Sequence, residues 1–385
     1  MIDNLSVAGV ICEYNPFHNG HLYQIETIKK SGYDFVVCVM SGAFVQRGDL
    51  AIYDKWERAK TAVENGADLV IELPTYYVLQ SAQNFAHGGV KILDSLGFVD
   101  ALVFGSESDD GKKLVKMADV IGEETGEFKT ILSESLKSGD GYPKAYEKAI
   151  SASLGEEITL LPNDILAINY ISQLKKLGSS IVPVPMKRKG DYHSKTHSHG
   201  SFASATEVRD MINKGLDITD LVPDTCDITF SLDNIESYVL GVLRSKDEHQ
   251  LKNVPGMEQG LARRIITCAK ESSTLDEFFS SCTTKRYTKS RIGRITLGIL
   301  LDIDGDSILD YLRVLAFKSD SSNLLSEIKK KCPLPLVTKV ADFVPGEKSM
   351  FRYDILSTDI ASLACSDILK RKSGRDYITS PVIVR

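Results

Sequence analysis

The sequence predicts an α/β fold in which helices cover both faces of a mostly parallel sheet, followed by a second, mainly helical domain and a mixed C-terminal part. Three observations lead to this prediction: short apolar runs of strand length, helical segments that alternate with them, and a change to helical patterns after about residue 215. Apolar runs without polar alternation are typical of strands buried on both faces. With 385 residues, 43% of them hydrophobic and 25% charged, the chain is long enough for two or three globular domains.

Five apolar runs are the predicted strands, and they occupy residues 7–12, 34–40, 67–74, 100–107 and 180–186. Helical compositions follow the first three of them, at residues 21–30, 54–64 and 82–97. Because strands and helices alternate along the chain, the strands are expected to run parallel. Sheets of this kind bind ligands beyond the carboxyl ends of their strands. We therefore expect a binding site directly after residue 12.

The predicted first domain covers residues 1–215, and the second covers residues 216–385. Helical patterns extend over residues 251–282 and 283–303, and the latter range is basic in its first half. Short β-branched runs at 333–340 and 377–385 are typical of strands. The C-terminal part is therefore predicted to mix helix and strand.

Composition and charge narrow the classes of function. Seven cysteines are scattered singly without a CxxC pair, which indicates free thiols in a reducing cytosol and not a disulfide framework or a zinc site. No apolar run approaches the roughly 18 residues of a membrane span, and the N-terminus lacks the features of a signal peptide. We expect a cytoplasmic protein with no membrane partner. The net charge of −6 gives no reason to expect DNA as a partner, although a local basic patch can still bind RNA.

The segment EYNPFHNGHLYQ connects the first predicted strand to the first predicted helix. Gly20 lets the backbone approach a ligand closely, and the amides of a helix that begins at His21 carry partial positive charge toward an anion. His18 and His21 can donate hydrogen bonds to phosphate oxygens while an α-phosphate is attacked and pyrophosphate leaves. The alternative is that both histidines are helix caps or satisfied polar groups. The GxxxxGK[ST] pattern does not occur, so a P-loop is not predicted.

A second anion site is predicted in the segment SFASATEVRDMI, at residues 201–212. Ser204 and Thr206 can cap a helix whose first turn carries Glu207 and Arg209. Small hydroxyl residues beside an arginine bind anions well. The alternative is an ordinary helix cap. Together with the histidine segment, this site would hold a triphosphate from two sides.

Several longer motifs occur in the order EYNPFHNGHLYQ, VMSGAFVQRGDLAIYDKWERAKTAVENGADLVIELP, FGSE, LPNDILAINY, DYHS, SATEVR and TKRYTKSRIGR. In this order they resemble the bacterial tRNA-Met cytidine acetate ligase family, which is part of the nucleotidylyl transferase superfamily. The resemblance spans nearly the whole chain. It implies a Rossmann-like, ATP-binding nucleotidyltransferase domain at residues 1–215 and a mainly helical tRNA-binding domain at residues 216–385.

The resemblance also implies the reaction. An enzyme of this family activates acetate with ATP to form acetyl-adenylate and pyrophosphate, and then transfers the acetyl group to N4 of the wobble cytidine (C34) of elongator tRNA-Met. His18, His21 and Arg209 are the implied catalytic residues. Mg²⁺ is expected to bridge the phosphates, and the sequence identifies no protein ligand for it.

The resemblance implies ATP contacts in four segments. The sequence reads KRKGDYHS before its tyrosine–histidine pair, and there we assign Arg188 with Lys189 beside it, with Lys187 as the alternative. The ATP-binding residues implied in these four segments are Ile11, Cys12, Glu13, Tyr14, Asn15, Pro16, Phe17, His18, Asn19, Gly20, His21, Leu22, Tyr23, Gln24, Gly105, Asn163, Arg188 and Lys189. The second predicted anion site adds Ser204 and Thr206 to the predicted ATP-binding residues.

A basic segment in the second predicted domain is the candidate RNA-binding site. Its cations would contact backbone phosphates, and its tyrosine would stack on a base. The alternative is a solvated helix face, and the same two interpretations apply to Arg263 and Arg264. The candidate residues are Lys285, Arg286, Tyr287, Lys289, Arg291 and Arg294.

Two further segments allow functional interpretations. We hypothesise that residues 41–48, just past the second strand, shape the acetate or cytidine pocket, the alternative being a surface loop. His193, His197 and His199 invite a metal site, but their loop spacing without cysteines or ordered carboxylates makes phosphate contact or a plain polar loop the better interpretation.

Two other functions are compatible with the same motifs. One is an adenylyltransferase that acts on a small phosphorylated cofactor precursor and needs no RNA surface. The other is a non-catalytic RNA-binding protein that has kept a nucleotide-binding fold. Consumption of ATP and dependence on acetate distinguish the three.

Overall fold

An eight-stranded sheet organises the chain in the computed structural model, which describes residues 5–108, 110–123, 125–188 and 202–385. The strands are β1 Val7–Cys12, β2 Phe35–Ser41, β3 Phe44–Val45, β4 Asp49–Leu50, β5 Leu69–Leu73, β6 Ala101–Ser106, β7 Val182–Lys187, β8 Leu312–Lys318, β9 Leu336–Val337 and β10 Val382–Val384. The order across the sheet is β10-β8-β5-β2-β1-β6-β7, with β9 beside β8, while β3 and β4 form a separate hairpin.

Helices connect the strands of the first half and dominate the middle of the chain. They are α1 Asn19–Lys30, α2 Lys55–Glu64, α3 Thr75–Val78, α4 Ala82–Ser95, α5 Gly111–Glu123, α6 Gly126–Lys137, α7 Tyr142–Leu154, α8 Pro162–Leu177, α9 Ala205–Asn213, α10 Glu236–Ser245, α11 Glu248–Leu251, α12 Leu261–Glu271, α13 Leu275–Cys282, α14 Lys289–Leu300, α15 Ser322–Lys331, α16 Phe351–Leu363 and α17 Arg375–Ile378. Within the described ranges, none of them is long and apolar enough to cross a membrane.

The five predicted strands are β1, β2, β5, β6 and β7, and adjacent members of this set pair in parallel. Successive residues of β2 enter opposite cores: Val37 and Val39 pack in one apolar cluster, while Val36, Cys38 and Met40 pack in the other. Both faces of the strand are buried, so the sequence has no polar alternation there. The predicted fold class, a mostly parallel sheet with a mainly helical second part and a mixed C-terminus, is confirmed.

The C-terminal part extends this sheet. β8 was not predicted from the sequence; it pairs antiparallel with β5, so that Leu69 lies opposite Phe317. β10 then pairs in parallel with β8. Residues 216–385 therefore supply both the helical lobe, α10 to α14, and one edge of the sheet that begins in the first 215 residues.

Two glycines let the hairpin of β3 and β4 touch the helical lobe. A Cβ atom on Gly48 would lie 2.4 Å from the backbone nitrogen of Arg294, and one on Gly293 would lie 2.3 Å from the carbonyl oxygen of Gly48. Gly48 also has a φ of +78°, a conformation that residues with a Cβ rarely adopt. The backbone of the hairpin therefore packs directly on α14, and Arg294 Nη1 donates to the Gln46 carbonyl at 2.9 Å.

A buried ionic cluster fastens the C-terminal helix to the centre of the sheet. Lys55 Nζ lies 2.9 Å from Glu72 Oε1 and 2.9 Å from Asp376 Oδ1. Arg313 contacts the same two carboxylates, at 3.3 Å from Glu72 Oε2. All four side chains are at most 3% exposed. The charges balance, two against two, as a buried ionic group requires.

Candidate active site

One cavity of about 930 Å³ lies at the carboxyl ends of β1 and β6. It contains residues from the loop after β1, the β3–β4 hairpin, and the first turns of α8, α9 and α14. The predicted nucleotide and catalytic residues that line it are Ile11, Cys12, Glu13, Tyr14, Asn15, His18, His21, Gln24, Gly105, Asn163, Arg188, Ser204, Thr206 and Arg209. The predicted RNA-binding residues that line it are Arg286, Arg291 and Arg294. The two sites predicted in separate domains thus share one cavity.

The two histidines cap helix α1 and stack on each other. His18 is the N-cap residue, and its Nδ1 accepts from the Gly20 amide at 3.0 Å. His21 Nδ1 accepts in return from the His18 amide at 3.3 Å. The ring centroids are 3.8 Å apart with an interplanar angle of 23°. Because both Nδ1 atoms accept hydrogen bonds, the neutral rings carry their proton on Nε2.

Both imidazoles are held in the neutral form. Burial, together with the positive charges of Arg188 and Arg209, lowers the pKa of His18 to about 4. Burial, His18 and Arg188 lower the pKa of His21 well below its usual value. A neutral ring with a proton on Nε2 can donate a hydrogen bond to a phosphate oxygen without transferring the proton. Such a donor can stabilise the negative charge that develops on the phosphate.

This protonation state can be measured by NMR on protein with ¹⁵N-labelled histidine. In the absence of ligand, we expect His18 and His21 to show the Nε2–H tautomer from pH 8 to about pH 5, with protonation of His18 centred at about pH 4. The His18→Gln and His21→Gln variants provide the assignments. An imidazolium signal from either ring at pH 6.5 would contradict the arrangement.

The same shift sets a pH dependence of stability. The pKa of His18 in the folded protein, about 4, lies below its unfolded value of about 6.5. The unfolded chain therefore binds this proton more readily, and stability that is present above pH 6.5 is lost as the pH falls from 6.5 toward 4.

Gly20 has a different use from the predicted one. A Cβ atom at this position would lie 2.8 Å from His18 Cε1, and Gly20 is not part of the cavity lining. The space above this glycine is taken by the capping imidazole and not by a ligand. The glycine is still required, because the ring of His18 can cap the helix only if residue 20 has no side chain.

Helix α9 forms the second side of the cavity. Ser204 is its N-cap and accepts from the Glu207 amide at 3.2 Å. Arg209 Nη1 donates to the Asn15 carbonyl at 2.6 Å, and its Nη2 donates to Thr206 Oγ1 at 3.1 Å. The arginine therefore ties α9 to the loop after β1, and it places a positive charge beside the histidines.

The start of α8 forms the third side. Glu107 accepts from the amides of Asn163 and Asp164, and Asp164 Oδ1 accepts in return from the Glu107 amide at 3.1 Å. Asn163 Oδ1 accepts from Arg188 Nη1 at 3.2 Å. A Cβ atom on Gly105 would lie 3.1 Å from Arg188 Cγ. Arg188 lines the cavity, whereas Lys187, the alternative for this position, does not.

The basic segment is organised around one carboxylate. Glu258 accepts from Arg291 Nη2 at 2.6 Å and from Arg286 Nη2 at 2.8 Å. Both guanidinium groups also lie within 5.5 Å of the Tyr287 ring. Burial would raise the pKa of Glu258, but the two arginines lower it below its usual range. Arg286 and Arg291 are thus paired with Glu258 at the rim of the cavity, where the side chain of Arg286 is still 68% exposed.

Other predicted residues have structural partners elsewhere. Arg263 pairs with Glu248 at 2.8 Å, and Arg264 donates to the carbonyl of Cys282 at 3.0 Å. Residues in the predicted set that do not line the cavity are Pro16, Phe17, Asn19, Gly20, Leu22, Tyr23, Lys285, Tyr287 and Lys289. Lys189, His193, His197 and His199 lie outside the described residues. Among those that are described, no three His, Cys, Asp or Glu side chains form a group that could hold a metal ion.

Several residues that line the cavity were not assigned to a site from the sequence. Asn169 and Tyr170 belong to the motif LPNDILAINY, in which only Asn163 was predicted to bind ATP. Gln46 and Arg47 belong to the loop that was expected to shape a substrate pocket. Asp49 belongs to the long motif at residues 39–74, whereas Gln80 and Glu258 carry no sequence signal, because tertiary packing alone brings them to the cavity. Polar lining residues that the sequence placed in no nucleotide, catalytic or RNA-binding set include Gln46, Arg47, Asp49, Gln80, Asn169, Tyr170 and Glu258.

Comparison with known proteins gives consistent matches along the chain. The family model of the HIGH Nucleotidyl Transferase family matches residues 5–376. The tRNA(Met) cytidine acetate ligase of Thermoanaerobacter sp. (strain X514) is 40% identical in an alignment of 399 positions, gaps included. The alignment covers 97% of this chain and 98% of the relative. The enzyme of the same name from Acetivibrio thermocellus is 38% identical, covering 99% and 100%. The crystal structure of Thermotoga maritima TmcAL bound with alpha-thio ATP superposes with a TM-score of 0.89 at 30% identity, covering 99% of this chain and 100% of that chain.

Proposed function

The chain belongs to the HIGH nucleotidyl transferase family, and we propose that it is an ATP-dependent ligase that attaches acetate to a cytidine of tRNA(Met). In the first step an acetate oxygen bonds to the α-phosphorus of ATP, the bond to the bridging oxygen breaks, and pyrophosphate leaves. In the second step the acetyl group passes from the adenylate to N4 of the wobble cytidine (C34) of elongator tRNA-Met, and AMP leaves.

The observation that carries this proposal is the single cavity with two kinds of lining. On one side lie His18, His21, Arg188 and Arg209, which supply neutral and charged donors to phosphate oxygens. On the other side lie the arginines of the basic segment. A triphosphate on the first side and a nucleotide of a folded RNA on the second would meet within one enclosure. Each transition-state donor contributes about 3 kcal/mol.

We also propose that the two parts of the chain have different roles. Residues 1–215 hold ATP and acetate, while residues 216–385 supply the contacts to tRNA. We also propose that the protein acts in the cytoplasm, where its tRNA substrate would be found. The cytidine has to leave the anticodon stack to enter the cavity, as bases do in other enzymes that modify them.

Mg²⁺ fits the site only through its substrate. The nucleotide side consists mainly of imidazoles, amides, hydroxyls and guanidinium groups, with one carboxylate, Glu13, that is surrounded by arginines. Imidazoles and guanidinium groups are poor ligands for a hard cation. A Mg²⁺ ion carried by the phosphates of ATP would supply further neutralisation of their charge. In this arrangement the metal needs no carboxylate cluster, and the residues named above orient the phosphates themselves.

The test is an incubation of the protein with ATP, ¹⁴C-labelled acetate and tRNA(Met) transcribed without modification. We expect label in the tRNA only when ATP is present, and acetate-dependent exchange of pyrophosphate into ATP without tRNA. A transcript with uridine at position 34 is the control and should remain unlabelled. Transfer of AMP to a small phosphate ester without acetate would indicate the adenylyltransferase instead. Binding of tRNA without consumption of ATP would indicate a non-catalytic RNA-binding protein.

A further inference from the structure

Glu13 belongs to the predicted ATP-binding set, but its side chain is a carboxylate inside the cavity, and a carboxylate repels phosphate. It lies directly after β1 and lines the cavity. Its Oε1 accepts from the Gln46 amide of the hairpin at 2.6 Å. No hydrogen bond to Oε2 exists within the described residues. One oxygen of this carboxylate is therefore fixed by the hairpin, and the other is available to a molecule in the cavity.

Glu13 is surrounded by positive charge and by one phenol. Arg58 from α2, Arg47 from the hairpin and Arg209 from α9 all interact with the carboxylate. From α8, Tyr170 faces it closely enough for Glu13 to contribute to the raised pKa of that phenol. Burial raises the pKa of Glu13, and the three arginines oppose this shift without cancelling it. A carboxylate whose pKa lies closer to neutral is a stronger base than an exposed one.

The other carboxylates of the cavity are less suitable as proton acceptors. Both oxygens of Glu258 are occupied by Arg291 and Arg286. Asp49 also lines the cavity and burial raises the pKa of its carboxyl group, but the residue is exposed overall and its Oδ1 accepts from the Leu50 amide at 2.8 Å. The histidines are also excluded, because their Nδ1 atoms already accept backbone hydrogen bonds and their Nε2 atoms carry the proton. Within the described part of the cavity, Glu13 is the half-buried base with an available oxygen.

The acetyl transfer of the proposed function needs such a base. The N4 group of cytosine is an amine whose electron pair forms the new bond to the acetyl carbonyl carbon, and the nitrogen must then lose a proton. A carboxylate is also the group that recognises cytosine, because it accepts a hydrogen bond from N4. Uracil presents O4 at the same position, which a carboxylate repels.

We infer that Glu13 accepts the N4 proton of the cytosine during acetyl transfer and selects cytosine over uracil by accepting its N4–H hydrogen bond. This inference rests on the proposed function. The bond from N4 to the acetyl carbon forms, the bond from that carbon to the AMP phosphate oxygen breaks, the N4 proton passes to Glu13 Oε2, and AMP leaves with the electron pair. Arg58, Arg47 and Arg209 keep the carboxylate ionised before the step.

The test uses Glu13→Gln in the full-length protein, because glutamine keeps the oxygen that accepts from the Gln46 amide. We expect acetyl transfer to lose much more than acetate-dependent ATP–pyrophosphate exchange, which reports adenylate formation, the step in which Glu13 belongs to the implied ATP-binding residues. Single-turnover acetyl transfer to tRNA(Met) should fall by about 100-fold or more, as removal of a general base does. In wild type, the transfer rate should rise with pH through one ionisation, and this rise should disappear in the variant. The preference of the protein for a C34 over a U34 transcript in competition binding should disappear as well.

Two further variants keep the inference open to refutation. Glu13→Asp retains a carboxylate and should show slower transfer that still rises with pH, which gives a readout if the glutamine variant does not fold. Asp49→Asn identifies the base if it alone abolishes transfer, and this would overturn the assignment to Glu13. Loss of pyrophosphate exchange together with transfer in Glu13→Gln would overturn it too, as would full transfer. If wild type shows no acetate-dependent exchange, the proposed ligase function fails, and this is distinguishable because no variant is involved.

Discussion

Replacing His21 with alanine should lower acetate-dependent ATP–pyrophosphate exchange by about 10²- to 10³-fold, the usual cost of losing one donor at a developing charge. The affinity for tRNA(Met) should stay unchanged, because the arginines proposed to contact RNA come from α14 and the loop before it, whereas His21 lies on α1. Acetyl transfer to tRNA should fall with the exchange reaction, since the adenylate is no longer formed. Exchange kinetics and filter binding of labelled tRNA measure the two properties in the same preparation.

His21 is a cleaner test than His18, because His18 is also the N-cap of α1. Alanine at position 21 removes one acceptor of the reciprocal cap, which costs about 1 kcal/mol of stability, and a thermal unfolding curve shows whether the fold survives. His249→Ala, on an exposed residue of α11, is the matched control and should keep full activity. Wild-type exchange in the His21 variant would remove the catalytic assignment.

The double variant of His18 and His21 should lose less than the product of the two single losses. The two rings are stacked. His21 Nδ1 accepts from the His18 amide, and His18 Nδ1 accepts from the Gly20 amide at the start of α1. Side chains that act as one unit are strongly non-additive in kinetics. Pyrophosphate exchange in the two single variants and the double variant measures this coupling.

The histidine motif could be predicted only in part from the sequence. It offered a helix cap and a phosphate donor as alternatives, and the structure makes both compatible, because capping uses Nδ1 and leaves the Nε2–H group for a ligand. A one-dimensional pattern does not reveal which ring nitrogen is engaged. The family resemblance read from the longer motifs is confirmed by matches over nearly the full chain.

The strands and the cavity differ in how well they could be predicted. The strands β1, β2 and β5 follow from local apolar runs. β8 lies in the part of the chain that was predicted to be mainly helical. Its pairing with β5 joins residues more than 240 positions apart in the sequence. The contact of Glu258 with Arg286 and Arg291 is likewise a tertiary one. The sequence of the basic segment therefore gives no sign that a carboxylate from a preceding loop pairs with two of its arginines in the folded protein.

The buried ionic cluster gives the second large effect that we expect. Asp376→Ala should lower the free energy of unfolding by about 3–5 kcal/mol, the usual cost of removing one partner from a buried ion pair. Lys55 and Arg313 would then keep only Glu72 as a directly paired carboxylate, so that one positive charge loses its ion-pair partner at the centre of the sheet. Urea unfolding followed by circular dichroism measures the change. Removal of residues 375–385 should cost at least as much, because it also removes β10.

Glu347→Ala is the control for this prediction, since its side chain is exposed and should change stability by no more than about 0.5 kcal/mol. An unchanged urea midpoint in Asp376→Ala would mean that Asp376 does not stabilise the cluster. The cluster also reaches the active site: a Cβ on Gly42 would lie 2.3 Å from Glu72 Oε1, and Arg58 contacts the carbonyls of both Gly42 and Glu13. Loss of Asp376 should therefore reduce acetyl transfer more than pyrophosphate exchange at temperatures below unfolding, because Glu13 is the residue that this support positions.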